Sequence, residues 1–181
     1  MKIKETPLKD CYIIEPIILE DERGYFFEKF NEKKFEELTG MNGHFVQDNI
    51  SKSSYGVLRG VHLQKGEFAQ AKLVSCLEGK VFDVAVDLRK DSPTFGKWFG
   101  VELTPENKLQ LYVPRGFGHG FSVLSETAVF AYKCDNFYNK DSEGSVIWND
   151  PDLNIDWKLP LDAVILSEKD KSLPKFSERN F

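Results

Sequence analysis

The sequence predicts an all-β fold, either a sandwich, a jelly roll or a barrel, on three observations. Apolar segments of roughly five to eight residues follow one another closely from about residue 45, separated by clusters of Gly, Pro, Asn and Asp. Phenylalanine is abundant, with 15 Phe in 181 residues, as is typical of strands that bury one face. In the first two-thirds of the chain, only one segment carries both the periodicity and the capping residues of a helix.

That helix follows the first predicted strand. Residues 22–30 are predicted as a strand that comes after a turn at 21–24. Asn31 is then a favourable N-cap, Phe35 lies on the apolar face, and Gly40 stands where a helix of this length would end. The chain is therefore expected to carry one short helix before its main β region.

The main β region alternates between strands and turns, and the pattern at 81–88 is the clearest. There the even positions are apolar, whereas Asp83 and Asp87 lie on the opposite face. Residues 150–181 look irregular, with one helical turn near 167–171, and the whole chain, 1–181, is predicted to form a single domain. The remaining strands are predicted at residues 46–51, 56–64, 71–77, 97–103, 109–113, 120–124 and 129–137.

Composition limits the classes of partner. The chain has 24 Lys plus Arg against 29 Asp plus Glu, a formal net charge of −5, which argues against non-specific nucleic-acid binding and against docking on anionic membranes. The N-terminus lacks the apolar run of a signal peptide, and no segment approaches the ~20 apolar residues of a membrane span. The 3 Cys are scattered and indicate a reducing compartment, so a cytoplasmic protein is expected.

Two histidines lie in informative surroundings. His62 ends the apolar segment GVLRGVH at 56–62, and His119 lies in PRGFGHG at 114–120. A single histidine of this kind is more often a hydrogen-bonded core residue than a catalytic one. Arg59 precedes His62 by three positions, so strand parity places the two on opposite faces unless Gly60 introduces a bulge. An arginine in such a segment is rarely buried without an anionic partner.

These spacings resemble those of the cupins, which are small double-stranded β-helix barrels. Gly56 with His62, and Pro114-x-Gly116-x-x-His119, match the cupin frame, but Gln64 stands where cupins carry the second histidine of the first motif. Because too few ligands remain, the sequence predicts no metal site. An imidazole freed from a metal titrates near neutral pH and is suited to general-base work.

Longer motifs make the resemblance specific. The chain closely resembles the dTDP-4-dehydrorhamnose 3,5-epimerase family, which implies a cupin-like jelly-roll barrel with a few short helices. The matching motifs are DERGYF at 21–26, FVQDN at 45–49, GVLRGVH at 56–62, VFDVAVDLR at 81–89, DSPTFG at 91–96, GFGHGF at 116–121 and LSEKD at 166–170.

The resemblance implies a catalytic set. His62 corresponds to the general base, Asp170 to the carboxylate that orients it, and Tyr132 to the general acid on the opposite face of the sugar. Lys72 corresponds to the cation that faces the developing enolate, with His119 close by. The resemblance also implies a homodimer with exchanged N-terminal strands, in which some contacts come from the partner.

The remaining implied residues bind the substrate, a dTDP-linked 4-keto-6-deoxysugar. Tyr138 corresponds to the aromatic residue that stacks on thymine. Those that hold the diphosphate and sugar are Arg23, Gln47, Asn49, Arg59 and Lys169. Further substrate contacts are Phe26, Glu28 and Glu143.

The implied reaction makes chemical sense of these residue types. In dTDP-4-dehydro-6-deoxy-glucose the C4 ketone acidifies the protons on C3 and C5, so inversion needs only a base, an acid and a stabilised enolate. No cofactor is expected, and the sequence lacks a Gly-rich dinucleotide loop. Three alternatives stay open: a C3-only epimerase of a related sugar, a non-catalytic sugar-nucleotide-binding barrel, and a metal-dependent cupin isomerase or oxygenase.

Overall fold

The computed structural model describes residues 1–178, and this part of the chain is mostly β-structure. Two helices accompany the strands, α1 (Glu32–Thr39) and α2 (Glu168–Lys171). The strands are β1 (Lys2–Glu5), β2 (Tyr12–Glu15), β3 (Ile18–Asp21), β4 (Gly24–Phe27), β5 (Gln47–Ser54), β6 (Leu58–Gln64), β7 (Lys72–Glu78), β8 (Val81–Asp87), β9 (Trp98–Leu103), β10 (Gln110–Val113), β11 (Phe117–Val123), β12 (Thr127–Cys134) and β13 (Glu143–Ser145).

The strands form two larger sheets and one separate hairpin. The six-stranded sheet has the order β1-β2-β10-β7-β12-β5, and the five-stranded sheet has the order β13-β6-β11-β8-β9. All of their strand pairs are antiparallel, as is the isolated β3–β4 hairpin. The predicted cupin-like β-fold with few helices is therefore confirmed.

The core has an inner and an outer part, because β8 is buried on both faces. Val81 and Ala85 belong to the inner cluster with Val74 and Phe130 of the six-stranded sheet. The even positions of β8 instead pack outwards against the C-terminal segment around Trp157. The predicted alternation is correct, and it places Asp83 on the inner side of its strand.

Helix α1 forms for the reasons that the sequence gives. The Asn31 side chain accepts a hydrogen bond from the backbone N–H of Lys34, and Gly40 ends the helix in the left-handed region at φ 69°. Phe35 is fully buried and packs on Tyr112, with ring centroids 4.9 Å apart. The helix thus covers the outer face of the six-stranded sheet.

The strand predictions from residue 46 onwards are confirmed, with ends that differ by a few residues. The differences reach three residues, at the start of β11 and at the ends of β5 and β12. The sequence did not predict β1, β2, β3 or β13, and the strand predicted over 22–30 is the shorter β4, paired with β3. These N-terminal strands carry only four residues each, too few to display a period. Neither α1 nor α2 has the length or the apolar character that crossing a membrane would require, a statement confined to residues 1–178.

Candidate active site

A cavity of about 420 Å³ lies between the two sheets and contains most of the predicted catalytic residues. A smaller cavity of about 160 Å³ adjoins it, and His62, Lys72 and Tyr132 line both. The five-stranded sheet contributes His62 and His119, whereas the six-stranded sheet contributes Lys72 and Tyr132. The predicted base and the predicted acid therefore approach the cavity from opposite walls.

His62 and Asp170 form a hydrogen-bonded pair although 108 positions separate them in the chain. The distance from His62 Nε2 to Asp170 Oδ1 is 2.5 Å. The C-terminal segment reaches β6 through a parallel bridge between Val57 and Ile165. The Ser167 hydroxyl then accepts a hydrogen bond from the Asp170 backbone N–H and starts α2. This turn presents the carboxylate to the imidazole.

The hydrogen bond between His62 and Asp170 has a defined donor and a defined acceptor. Burial raises the pKa of the Asp170 carboxyl, but hydrogen bonds from His62 and Ser167 and the charge of His62 outweigh burial and hold that pKa below its usual range. An ionised carboxylate only accepts hydrogen bonds, so the proton lies on Nε2 of His62. In the neutral form of the ring, the second nitrogen, Nδ1, holds the lone pair that accepts a substrate proton.

Arg59 and His62 line the same cavity because β6 is irregular between them. His119 pairs with His62 and Phe121 pairs with Arg59, so β6 contains one extra residue at this point. Gly60 adopts φ 136°, and a Cβ there would lie 2.6 Å from the Cα of Gly120. The bulge that parity required is thus confirmed. The Arg59 guanidinium hydrogen-bonds the Ser53 hydroxyl at 3.2 and 3.3 Å.

The opposite wall carries Tyr132 and Lys72. Burial raises the pKa of the Tyr132 phenol, with Cys134 adding to the effect and Arg59 opposing it, so the phenol keeps its proton at neutral pH. Burial lowers the pKa of the Lys72 ammonium, against the influence of Cys134 and Asp83. The Lys72 Nζ lies 5.9 Å from the centroid of the Tyr132 ring.

A second histidine–carboxylate pair lies deeper. His119 Nε2 is 2.9 Å from Asp83 Oδ1, and both side chains are buried. Burial lowers the pKa of His119, and the Asp83 carboxylate opposes this effect only in part. The ring therefore stays neutral at neutral pH and stacks near Phe130, with centroids 6.1 Å apart.

The rim of the smaller cavity carries four further predicted residues. Tyr138 Oη donates to Glu143 Oε1 at 3.0 Å, and Lys169 Nζ is 2.5 Å from Glu143 Oε2. On the other side, Gln47 Nε2 donates to Asn49 Oδ1 at 3.0 Å. Lys169 lines the larger cavity and Glu143 the smaller one, so their ion pair connects the two rims.

Three predicted substrate contacts lie away from both cavities within this chain. Arg23 lies at the tip of the β3–β4 hairpin, where its guanidinium pairs with Asp21. Phe26 is 68% exposed on the same hairpin, and Glu28 pairs with Lys34 at 2.8 Å. The expectation that Arg23, Phe26 and Glu28 join the pocket is not met by the single chain.

The structure adds residues that the sequence reading missed. Asp83 was placed only on a strand face, although a carboxylate in an otherwise apolar strand was the available signal. Ser53 had no signal, because nothing local marks it as the partner of Arg59. The ring centroids of Phe121 and Phe130 lie 4.2 Å apart, and the two rings form an apolar wall of the cavity. This placement depends on how the two sheets pack, which no local pattern predicts.

Gln64 stands at the position where cupins carry a metal ligand, and its amide is engaged in hydrogen bonds. Both ends of the Gln64 side chain are hydrogen-bonded to backbone groups, and the residue is buried. Within residues 1–178 the structure groups no three His, Cys, Asp or Glu side chains in a way that would hold a metal ion.

A histidine hydrogen-bonded to a carboxylate, facing a protonated phenol across one cavity, defines a candidate acid–base enzyme of the cupin-like fold. The family model described as dTDP-4-dehydrorhamnose 3,5-epimerase matches residues 5–178. A protein of that name from Shigella flexneri is 52% identical over 181 residues, 100% of this chain and 99% of the relative. The chain belongs to the dTDP-4-dehydrorhamnose 3,5-epimerase family.

Solved structures agree with this assignment. The dTDP-4-dehydrorhamnose 3,5-epimerase from Elizabethkingia anophelis is 76% identical with a TM-score of 0.98, covering 100% of this chain and 99% of that one. An epimerase from Legionella pneumophila, solved in complex with dTDP-4-keto-L-rhamnose, is 51% identical with a TM-score of 0.94, covering 99% and 94%.

Proposed function

We propose that this protein epimerises C3 and C5 of dTDP-4-dehydro-6-deoxy-glucose to give dTDP-4-dehydro-L-rhamnose, a step of dTDP-L-rhamnose biosynthesis. One observation carries the proposal: the His62–Asp170 pair and the Tyr132 phenol reach one cavity from opposite sheets. Inversion of a carbon needs a base on one face and an acid on the other, and this arrangement supplies both. Family membership supports the same substrate class.

The proton balance of each inversion is complete within the chain. Nδ1 of His62 takes the proton α to the C4 ketone, and the electron pair of the broken C–H bond forms the enolate. The Tyr132 hydroxyl then delivers its proton to the same carbon from the opposite face. Solvent takes the proton from His62 and returns one to Tyr132, so the enzyme is restored for the second carbon.

Lys72 is placed to stabilise the enolate oxygen. Its half-buried side chain lines both cavities, where a positive charge interacts strongly with a developing anion. His119 lies in the same cavity and is held by Asp83, which fixes one of its ring nitrogens. A neutral imidazole beside the cation is a directional hydrogen-bonding group for the same oxygen or its neighbour.

The nucleotide part of the substrate fits the cationic side of the cavities. Arg59, Lys72 and Lys169 bring three cations to the larger cavity against the single carboxylate of Asp170, although the whole chain is acidic. A guanidinium held by Ser53 suits a diphosphate. Tyr138 at the rim of the smaller cavity supplies an aromatic surface for the base.

A homodimer completes the proposal, with Arg23, Phe26 and Glu28 acting on the partner's site. The hairpin β3–β4 projects apolar side chains into solvent, among them Leu19, which is 63% exposed, and Phe26. Exposed apolar groups concentrated on one hairpin favour burial against a second copy. We place the reaction in the cytoplasm, where the nucleotide sugar is made.

The test is solvent exchange. The purified protein is incubated with dTDP-4-dehydro-6-deoxy-glucose in heavy water, and NMR locates the deuterium. We expect incorporation at both C3 and C5 with formation of the L-sugar. Deuterium at C3 alone would establish the C3-only epimerase, and no exchange at all would leave a sugar-nucleotide-binding barrel. Metal analysis of the same preparation, with and without a chelator, tests the metal-dependent alternative.

A further inference from the structure

We propose that Gln64 is a positioning residue for nucleotide recognition: it holds the backbone on both sides of Tyr138 so that the ring is pre-set to stack on the base. This inference rests on the proposed function and extends it, because it assigns base affinity to a residue whose amide is hydrogen-bonded to backbone groups. Three observations carry it: the hydrogen bonds of Gln64, the bracing of the neighbouring loop, and the position of Tyr138 at the cavity rim.

The Gln64 amide makes three hydrogen bonds to backbone groups. Its Nε2 donates to the carbonyl of Phe137 at 3.2 Å and to the carbonyl of Phe68 at 3.3 Å. Its Oε1 accepts from the N–H of Asn139 at 3.0 Å. Two carbonyls and one N–H permit only one orientation of the amide. Because Gln64 is only 6% exposed, water does not replace these contacts.

The two contacts nearest the rim bracket Tyr138. Phe137 and Asn139 are its immediate chain neighbours, so Gln64 fixes both peptide groups that set the direction of the Tyr138 Cα–Cβ bond. The hydroxyl is fixed separately, because it donates to Glu143, which pairs with Gln64 in the β6–β13 ladder. The ring itself remains 55% exposed and lines the smaller cavity. An anchored backbone with a free ring face is what a stacking platform requires.

The rest of the loop has its own support. Gln70 Nε2 donates to the carbonyl of Asn136 at 2.7 Å. The Asn136 side chain in turn donates to the carbonyls of Glu67 and Ala69 at 2.9 and 3.3 Å. Removal of the Gln64 amide therefore leaves the loop attached and frees only the stretch around Tyr138. The expected consequence is a loss of pre-organisation, which lowers affinity without unfolding the protein.

The experiment separates the base from the diphosphate and uses a double-mutant cycle. Calorimetry measures the binding of dTDP and of inorganic pyrophosphate to the wild type, Gln64→Met, Tyr138→Ala and the double variant. Gln110→Met is the matched control, since Gln110 is 3% exposed and also donates from Nε2 to a loop carbonyl, that of Lys29 at 2.7 Å, away from both cavities. Thermal melts confirm that each variant is folded.

We expect Tyr138→Ala to weaken dTDP about tenfold or more, since base–aromatic stacking is worth ~1–3 kcal/mol. Gln64→Met should weaken dTDP by about three- to tenfold, leave pyrophosphate within about twofold, and add little in the double variant because both changes remove one interaction. Equal losses for dTDP and pyrophosphate, additive effects, or an unchanged affinity in Gln64→Met or Tyr138→Ala would overturn the inference. Failure of the wild type to bind dTDP would instead overturn the proposed function.

Discussion

Replacing Asp170 by Asn tests the catalytic pair with the smallest change of shape. The carboxylate is 3% exposed and lies 2.5 Å from His62 Nε2, so it makes a buried, charge-assisted hydrogen bond. An amide in the same place has no charge: its oxygen accepts only a weaker hydrogen bond from Nε2–H, and its NH₂ group, where it faces Nε2, requires His62 to carry its proton on Nδ1. The nitrogen that faces the substrate then lacks a lone pair. Asn also leaves unopposed any positive charge that His62 acquires in the reaction.

The magnitude follows from losing the base. General-base catalysis contributes about 10²–10⁴ in rate, so we expect kcat to fall by about 10³-fold, equivalent to ~4 kcal/mol of barrier. Affinity for dTDP should stay within about twofold, because Asp170 does not contact the nucleotide in the proposed arrangement. The assay follows deuterium entry at C3 and C5 by NMR, with binding measured separately by calorimetry.

Glu168→Gln is the matched control. It removes a carboxylate from the same short helix, but this side chain is exposed and pairs only with Lys171 at 2.5 Å. We expect its kcat to stay within about twofold of the wild type, since an exposed ion pair contributes little. The reasoning would be refuted if folded Asp170→Asn kept kcat within about threefold of the wild type, because the carboxylate would then be dispensable.

The remaining predictions concern the acid, the stability and its pH dependence. Tyr132→Phe should retain deuterium exchange at the substrate's α-carbons, while formation of the inverted product falls by about 10²-fold or more. NMR measures both quantities. An equal loss of exchange and of product would contradict the role of Tyr132 as the acid. Arg89→Ala should lower the free energy of unfolding by about 3 kcal/mol in urea titrations, because the fully buried Asp87 loses its cationic partner at 2.9 Å and keeps only neutral donors, among them Ser92 and Thr94. Removal of Lys80, which forms an exposed pair with Glu102, should cost at most ~1 kcal/mol. Burial is the main cause that lowers the pKa of His119 in the folded state, so below about pH 6.5 the unfolded chain binds a proton that the folded chain does not. The free energy of unfolding should therefore fall as the pH drops below about 6.5. In His119→Asn it should fall less steeply with pH.

The sequence predicted the fold where strands are long enough to show a period. The strand β8 illustrates this, since its alternation separated Asp83 from the apolar even positions before the sheets were known, and the structure shows that the face of Asp83 is the inner one. The N-terminal strands β1 and β2 were not predicted because four residues display no period. They join the sheet because β2 pairs with the distant strand β10 and β1 pairs with β2. Local patterning predicts local structure, whereas short strands form through tertiary pairing.

The residues of the site also fall into two groups, those that sequence motifs predict and those that only the fold brings together. Motif resemblance predicted His62, Asp170 and Tyr132, and their meeting in one cavity is a product of the fold. No local pattern marks Ser53 or Gln64 as supports of the site, because each acts through two or three hydrogen bonds to groups that the fold brings close. Supporting residues carry no signature of their own, so they are found only after the residues they hold.

Lys72 shows how a cavity in an acidic protein can stabilise negative charge on a substrate. Burial lowers the pKa of its ammonium, so holding the charge there costs free energy while the cavity is empty. A diphosphate beside Arg59, or an enolate oxygen beside Lys72 itself, removes part of that cost by supplying the opposite charge. The lysine is therefore stabilised most when negative charge develops on the substrate, and binding energy is directed to the step in which the α-proton leaves. The net charge of −5 has no bearing on this, because the carboxylates that produce it lie mostly elsewhere: among residues 1–178, Asp170 is the one Asp or Glu that lines the larger cavity.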